Sequence, residues 1–147
     1  MCRRENLVAL LNDPGALKLL YSANLSCLGG CVTSLFKAGG DAPSSFLQLL
    51  EQKSYTLQTR ADAVNISTIF NLFAKRQQHC VDSLARMLNN EASTFMKLAD
   101  ERAVAAALEG FLALEEESPG LLLAFEAATE TEWGKRTTRA YRKLSEA

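Results

Sequence analysis

The sequence has little of what most catalytic or metal-binding chains need. It contains one histidine, His79, which leaves small scope for His-based catalysis or a multi-His metal site. It has three prolines and no apolar run near the roughly 18 residues of a membrane helix, so integral membrane insertion is not expected. Its formal net charge is −1, which excludes a histone-like polycation that would coat nucleic acid by charge alone. No Cys-x-x-Cys, Walker loop, nucleophile elbow or zinc motif occurs. Cys27 and Cys31 lie four apart, one face of a helix, and read as buried small residues rather than a disulfide scaffold. No convincing period-two run of β-branched residues appears, so no strands are expected. Neither a secretory signal nor a conventional cleavable presequence is evident, although Arg3 and Arg4 hint at organellar import.

What remains is helix signal. At 48% hydrophobic and 147 residues, the chain is too apolar to be disordered and long enough to bury a core. Breakers gather at Asp13-Pro14-Gly15, Gly39-Gly40-Asp41-Ala42-Pro43 and Ser118-Pro119-Gly120. Between them apolar residues recur at three and four. Leu28, Cys31, Val32, Leu35 and Phe36 form one stripe; Ile66, Ile69, Phe70 and Phe73 a second; Val104, Ala107, Leu108, Phe111 and Leu112 a third.

The stripes superpose at an offset of 38 residues. Leu28, Ile66 and Val104 fall in register, as do Val32, Phe70 and Leu108, and Leu35, Phe73 and Phe111. The second half of each unit matches through Phe46, Leu84 and Leu122, then Leu49, Met87 and Phe125, then Leu57, Phe95 and Trp133. Asn24, Asp62 and Asp100 stand where helices could be capped. Pro43 and Pro119 coincide in the first turn of the second helix, with Val81 between them. Ten of the 38 columns are apolar in all three units, against about four by chance at this composition. Extended backward, the columns predict apolar residues at Val8, Ala9, Leu11 and Leu19. Extended forward, they fall on Thr137, Arg142, Ser145 and Glu146, so the array should stop near Trp133.

The pattern predicts an all-α fold, a short right-handed α-solenoid of about three and a half 38-residue helical-hairpin repeats in a single domain, 1–147. A partial repeat spans 1–21, repeats follow over 22–60, 61–98 and 99–133, and a basic C-terminal helix occupies 134–147, with Tyr141 and Leu144 available for packing. Charge is uneven along it. Residues 1–98 carry 10 basic and seven acidic residues, 99–133 one and nine, and 134–147 five and one: net +3, −8 and +4.

The stretch Ala61-Asp62-Ala63-Val64-Asn65-Ile66-Ser67-Thr68-Ile69-Phe70-Asn71-Leu72-Phe73-Ala74-Lys75 resembles the first helix of an octotricopeptide-type repeat. It is also similar to heptatricopeptide repeats and to the helical arrays of the Fas-activated serine/threonine kinase domain and RAP proteins. Ala23-Asn24-Leu25 with Leu35-Phe36-Lys37, and Ala99-Asp100 with Phe111-Leu112-Ala113, echo the same pattern. The resemblance covers about residues 22–133. It implies an organellar protein that handles RNA, in transcript maturation, stability or assembly into an organellar ribosome; from the residues themselves no catalytic site, metal or cofactor is expected. Larger members carry a C-terminal RAP domain, which these 147 residues do not hold. With the acidic third repeat, that shifts the expectation toward a small non-enzymatic subunit of a mitochondrial ribonucleoprotein, such as the mitochondrial ribosome, contacting other protein subunits and rRNA. The alternative is a protein–protein adaptor in another complex, for example a respiratory one, without RNA contact.

In RNA-reading solenoids the first helices of successive units line a common surface. The column Thr33, Asn71 and Glu109 lies there, with Lys37 and Lys75 one turn on and Arg60, Arg76 and Arg102 nearby. Candidate RNA contacts are therefore Lys37, Arg60, Asn71, Lys75 and Arg76, joined by Lys135, Arg136, Arg139, Arg142 and Lys143 of the tail. Candidate contacts to a basic protein partner are Glu115, Glu116, Glu117, Glu126, Glu130 and Glu132. The bland alternative for both sets is a solvated face, and His79 is expected on an exposed loop.

Overall fold

The computed structural model describes residues 9–128 and 131–146. Every regular element among them is a helix: residues 9–12, then α1 (Pro14–Tyr21), α2 (Leu25–Lys37), α3 (Ser44–Gln52), α4 (Arg60–Arg76), α5 (Asp82–Asn90), α6 (Ala92–Leu98), α7 (Glu101–Leu114), α8 (Pro119–Ala127) and α9 (Lys135–Glu146). None is long and apolar enough to cross a membrane.

Short polar side chains start these helices by accepting from otherwise unpaired backbone N–H groups. Asp13 takes the N–H of Ala16 at 2.9 Å, Asn24 that of Cys27 at 2.8 Å, and Asp100 that of Ala103 at 2.8 Å. Asp62 acts differently from the in-register expectation. α4 begins one turn earlier, at a cap on Thr59, and Asp62 closes a capping box by accepting from the Thr59 N–H at 3.1 Å. Pro119 occupies the first turn of α8, whereas Pro43 precedes α3 as its cap residue.

Helix ends repeat too. Gly40 N–H reaches back to Leu35 O and Glu116 N–H to Phe111 O, both at 3.1 Å, each closing a Schellman-type end. The residues with positive φ among the described residues are Gly39, Gln78 and, 76 positions after Gly39, Glu115. A glycine takes this conformation freely; a glutamate does not.

The second halves of the repeats predict helices over 43–58, 80–97 and 119–133, and none of the three runs that far unbroken. α3 ends at Gln52, and Leu57 sits in the extended stretch beyond it. The helix expected over 80–97 splits at Glu91 into α5 and α6, and α8 ends at Ala127. Trp133 therefore lies in the connection ahead of α9. The Leu57 column keeps its burial, with Leu57 and Phe95 buried and Trp133 half-buried, while its conformation changes from unit to unit.

Helices contact their near neighbours in two rows. In one, α2 packs on α4, α4 on α7, and α7 on α9; in the other, α1 packs on α3, α3 on α5, and α5 and α6 on α8. Contacts of α4 with α5 and α6 join the rows. The first row holds the core. All nine residues of the columns led by Leu28, Val32 and Leu35 are between 0 and 2% exposed. Phe36 meets Phe73 edge-on at 5.2 Å, and Phe70 meets Phe111 at 4.7 Å. Small residues let the backbones approach: Gly29, Ser67 and Ala105, in register, are all buried. In the second row, the Ser45 and Ser83 hydroxyls, 38 apart, donate to the carbonyls of Leu11 and Leu50 at 3.1 and 3.0 Å.

The edges of the pattern behave differently. Leu19 and Leu123 belong to apolar columns, yet they are 76% and 67% exposed, because no helix lies over them among the described residues. Of the other backward positions, Leu11 is buried, Ala9 is exposed, and Val8 lies outside the described residues. Forward, the 38-residue columns do fail, but α9 still takes the next place in the first row. It buries Thr137, Ala140 and Leu144 against α7 from a start only 34 residues after that helix's start.

Candidate nucleic-acid interface

The first-row ladder is mostly occupied by the protein itself. The Thr33 hydroxyl donates to Gly29 O within its own helix at 2.8 Å. Asn71 is half-buried and its amide donates across to Ala106 O on α7 at 2.9 Å. The Glu109 carboxylate accepts from Lys75 Nζ at 2.7 Å and from Arg136 at two atoms, Nε at 2.8 Å and Nη2 at 2.7 Å. The fork geometry of that arginine makes the tie both strong and directional. The Glu109 side chain is only 18% exposed. Hydrogen bonds from Arg136 hold its carboxyl down to about 2 against the opposing effect of burial, with Lys75 assisting. Arg136 is pushed up in turn. Arg60 lies 3.5 Å from Asp100, a loose, exposed pair. Lys37 and Arg76 project into solvent without an ion-pair partner among the described residues.

The tail arranges itself differently. Two carboxylates of α7 seat α9. Glu109 holds Arg136, and Glu101 accepts from the Gly134 N–H and from the Thr137 hydroxyl at 3.4 Å. Negative charge at that helix start also suits its dipole. With Thr137, Ala140 and Leu144 turned inward, Lys135, Arg139, Arg142 and Lys143 are exposed and have no carboxylate within ion-pair distance among the described residues. Spaced by three and four, they share one side of α9. They border an open groove of about 640 Å³ that Trp133, Thr138 and Glu146 also line.

Trp133 belongs to an aromatic set that the sequence pattern did not single out as functional. Its ring stacks on Phe125 at 4.9 Å and 26°, and Phe125 stacks on Tyr141 at 4.6 Å and 26°. The Tyr141 hydroxyl donates to Glu126 at 2.6 Å, and that bond raises the phenol's pKa. The signal available in the sequence was the chain's only tryptophan two residues before a basic stripe at i, i+4, i+7 and i+8.

The acidic candidates do not converge. Glu115, Glu116 and Glu117 are exposed on the connection between α7 and α8 and line a groove of about 370 Å³ with Leu112 and Leu144. Glu116 accepts from the Cys80 thiol at 3.7 Å, and Glu126 is taken by Tyr141. Glu132 is exposed, and Glu130 lies outside the described residues. No group of three or more His, Cys, Asp or Glu side chains suited to a metal ion occurs among the described residues. Cys80 is a poor nucleophile, since burial above all pushes its thiol up to about 12. Cys27 is exposed and Cys31 half-buried, so the pair is not the buried one expected. His79 is half-buried rather than on an open loop, with its ring edge-on to Phe73 and Nε2 3.4 Å from Glu51 Oε1.

Comparison with family models, with curated proteins and with solved structures finds no match to this chain.

Proposed function

We propose that this chain is a short α-solenoid acting as a non-catalytic, RNA-associated subunit of an organellar ribonucleoprotein. The repeat resemblance supplies the organellar part of this reading and favours a mitochondrial ribosome as the assembly. Two structural facts favour the solenoid. Helices touch mainly their neighbours in two rows, and the side-chain hydrogen bonds joining separate helices of the described residues mostly span 27–40 residues, close to one period.

The observation that carries RNA association is the side of α9 bearing Lys135, Arg139, Arg142 and Lys143, cations with no ion-pair partner among the described residues while Arg136 is spent on Glu109. Unpaired cations grouped along one helix side form an electrostatic footprint for a phosphate backbone. The proposed contact thus moves from the ladder of first helices to the tail. Lys37 and Arg76 remain as a separate, sparser pair of cations.

Binding of a labelled single-stranded RNA, titrated against salt, tests this. Four phosphate contacts give a log–log salt slope of about −3. Lys135, Arg139, Arg142 and Lys143→Glu together should abolish low-salt binding, while Lys37 and Arg76→Glu should leave most of it. A wild-type protein that ignores RNA at low salt sinks the proposal. The adaptor reading then takes over, favoured by the exposed Glu115-Glu116-Glu117 connection beside Leu112 and Leu144, and co-purification with membrane complexes instead of rRNA would support it.

A further inference from the structure

We propose that Trp133 is a stacking platform for a nucleobase, so that the groove along α9 takes single-stranded rather than duplex nucleic acid. This rests on the reading of α9 as a phosphate-binding side and adds what that reading leaves open, the form of the strand.

Cations alone fit any polyanion. An aromatic ring beside them adds affinity only for a ligand that presents a flat π-face, and a nucleic-acid strand offers one where its bases are unpaired and unstacked. Trp133 borders the same groove as Lys135, Arg139 and Arg142. Its ring is already oriented. One side rests on Phe125 at 4.9 Å, Phe125 is backed by Tyr141 at 4.6 Å, and Tyr141 is tethered to Glu126 at 2.6 Å. A base arriving on the indole therefore meets a ring whose freedom is already reduced, which lowers the entropic cost of stacking. The cations run away from Trp133 along the helix axis in steps of about 6, 4.5 and 1.5 Å, from the 1.5 Å rise per residue. A strand anchored by a base at Trp133 can lay successive phosphates along that line.

The chain has one tryptophan, so its fluorescence reports this contact directly. The experiment titrates the full chain with a ten-nucleotide oligo(A) RNA, the same RNA as a duplex, and inorganic polyphosphate. Tryptophan emission is followed together with the anisotropy of labelled RNA. Expected are quenching by the single strand alone and single-strand affinity at least fivefold above duplex. Trp133→Ala should weaken single-strand binding about tenfold, within the range of one stacked base, and Trp133→Phe should restore most of it. The wild-type quenching does not depend on how Trp133→Ala folds. If the single strand binds without quenching, and as tightly as the duplex, base stacking is overturned while phosphate binding by α9 stands. If neither nucleic acid binds at low salt, both readings fall.

Discussion

Glu109 shows how one residue decides what a surface is for. By position it belongs to a polar column on the first-row helices. In the fold it gathers Lys75 from α4 and Arg136 from α9 onto one largely buried carboxylate of α7. Its carboxyl titrates near 2 when folded, well below an ordinary glutamate, so the sign of its pH effect is fixed. The stabilisation is fully present above about pH 4.5 and is lost as pH falls toward 2. Glu109→Gln should destabilise the fold at pH 7 by about 1–2 kcal/mol, the scale of charge-assisted hydrogen bonds at a partly exposed site. Acid titrations of thermal stability should show the wild type losing its advantage over this variant between pH 4.5 and 2. Parallel curves for the two proteins would count against the clasp.

Helix contacts in the first row depend on small residues. Gly110 of α7 lies against Phe70 of α4, and a Cβ built there would stand 2.5 Å from the Phe70 ring. Phe70 is fully buried and packed on Phe111, so its ring has little room to retreat. Alanine favours a helix over glycine by up to about 1 kcal/mol, but overpacking costs about 1–3 kcal/mol. Gly110→Ala should therefore be net destabilising, visible as a lowered urea midpoint with an unchanged slope. A rise in the midpoint would mean that α4 and α7 separate freely. The same element logic explains the capping differences: α4 starts at Thr59 because Thr59 and Asp62 satisfy each other's backbone donors, which Asp62 alone does not.

At the scale of the molecule, helices that touch chiefly their neighbours should not all share one fate. Phe70 lies at the centre of the first row, where α4 contacts both α2 and α7; Leu144 lies on α9, which packs on α7 at the row's end. Phe70→Ala should cost about 3–5 kcal/mol and lower protection across the chain. Leu144→Ala should raise amide exchange mainly within 135–146, as expected when stability is a sum of nearest-neighbour terms. Equal effects of the two substitutions everywhere would indicate one indivisible core. Charge follows the same geometry: the acidic stretch 99–133 supplies Glu101 and Glu109 to seat α9, so part of the −8 and part of the +4 cancel inside the molecule.

The sequence by itself determined the all-helical class, most helix locations and the buried columns. Those depend on local periodicity and capping, which nearby residues encode: the columns of Leu28, Val32 and Leu35 are buried as their spacing requires. It does not decide the exposure of Leu19 and Leu123, which depends on whether a neighbour lies over them, nor where the second helices end, since Leu57 and Trp133 stay packed without helical backbone. Which cations are free was a matter for tertiary structure alone. Lys75 and Arg136 looked like Arg139 and Lys143 along the chain. Only the folded contacts, between residues 27 and 34 positions apart, bring Glu109 to the first two and leave the others in solvent beside Trp133.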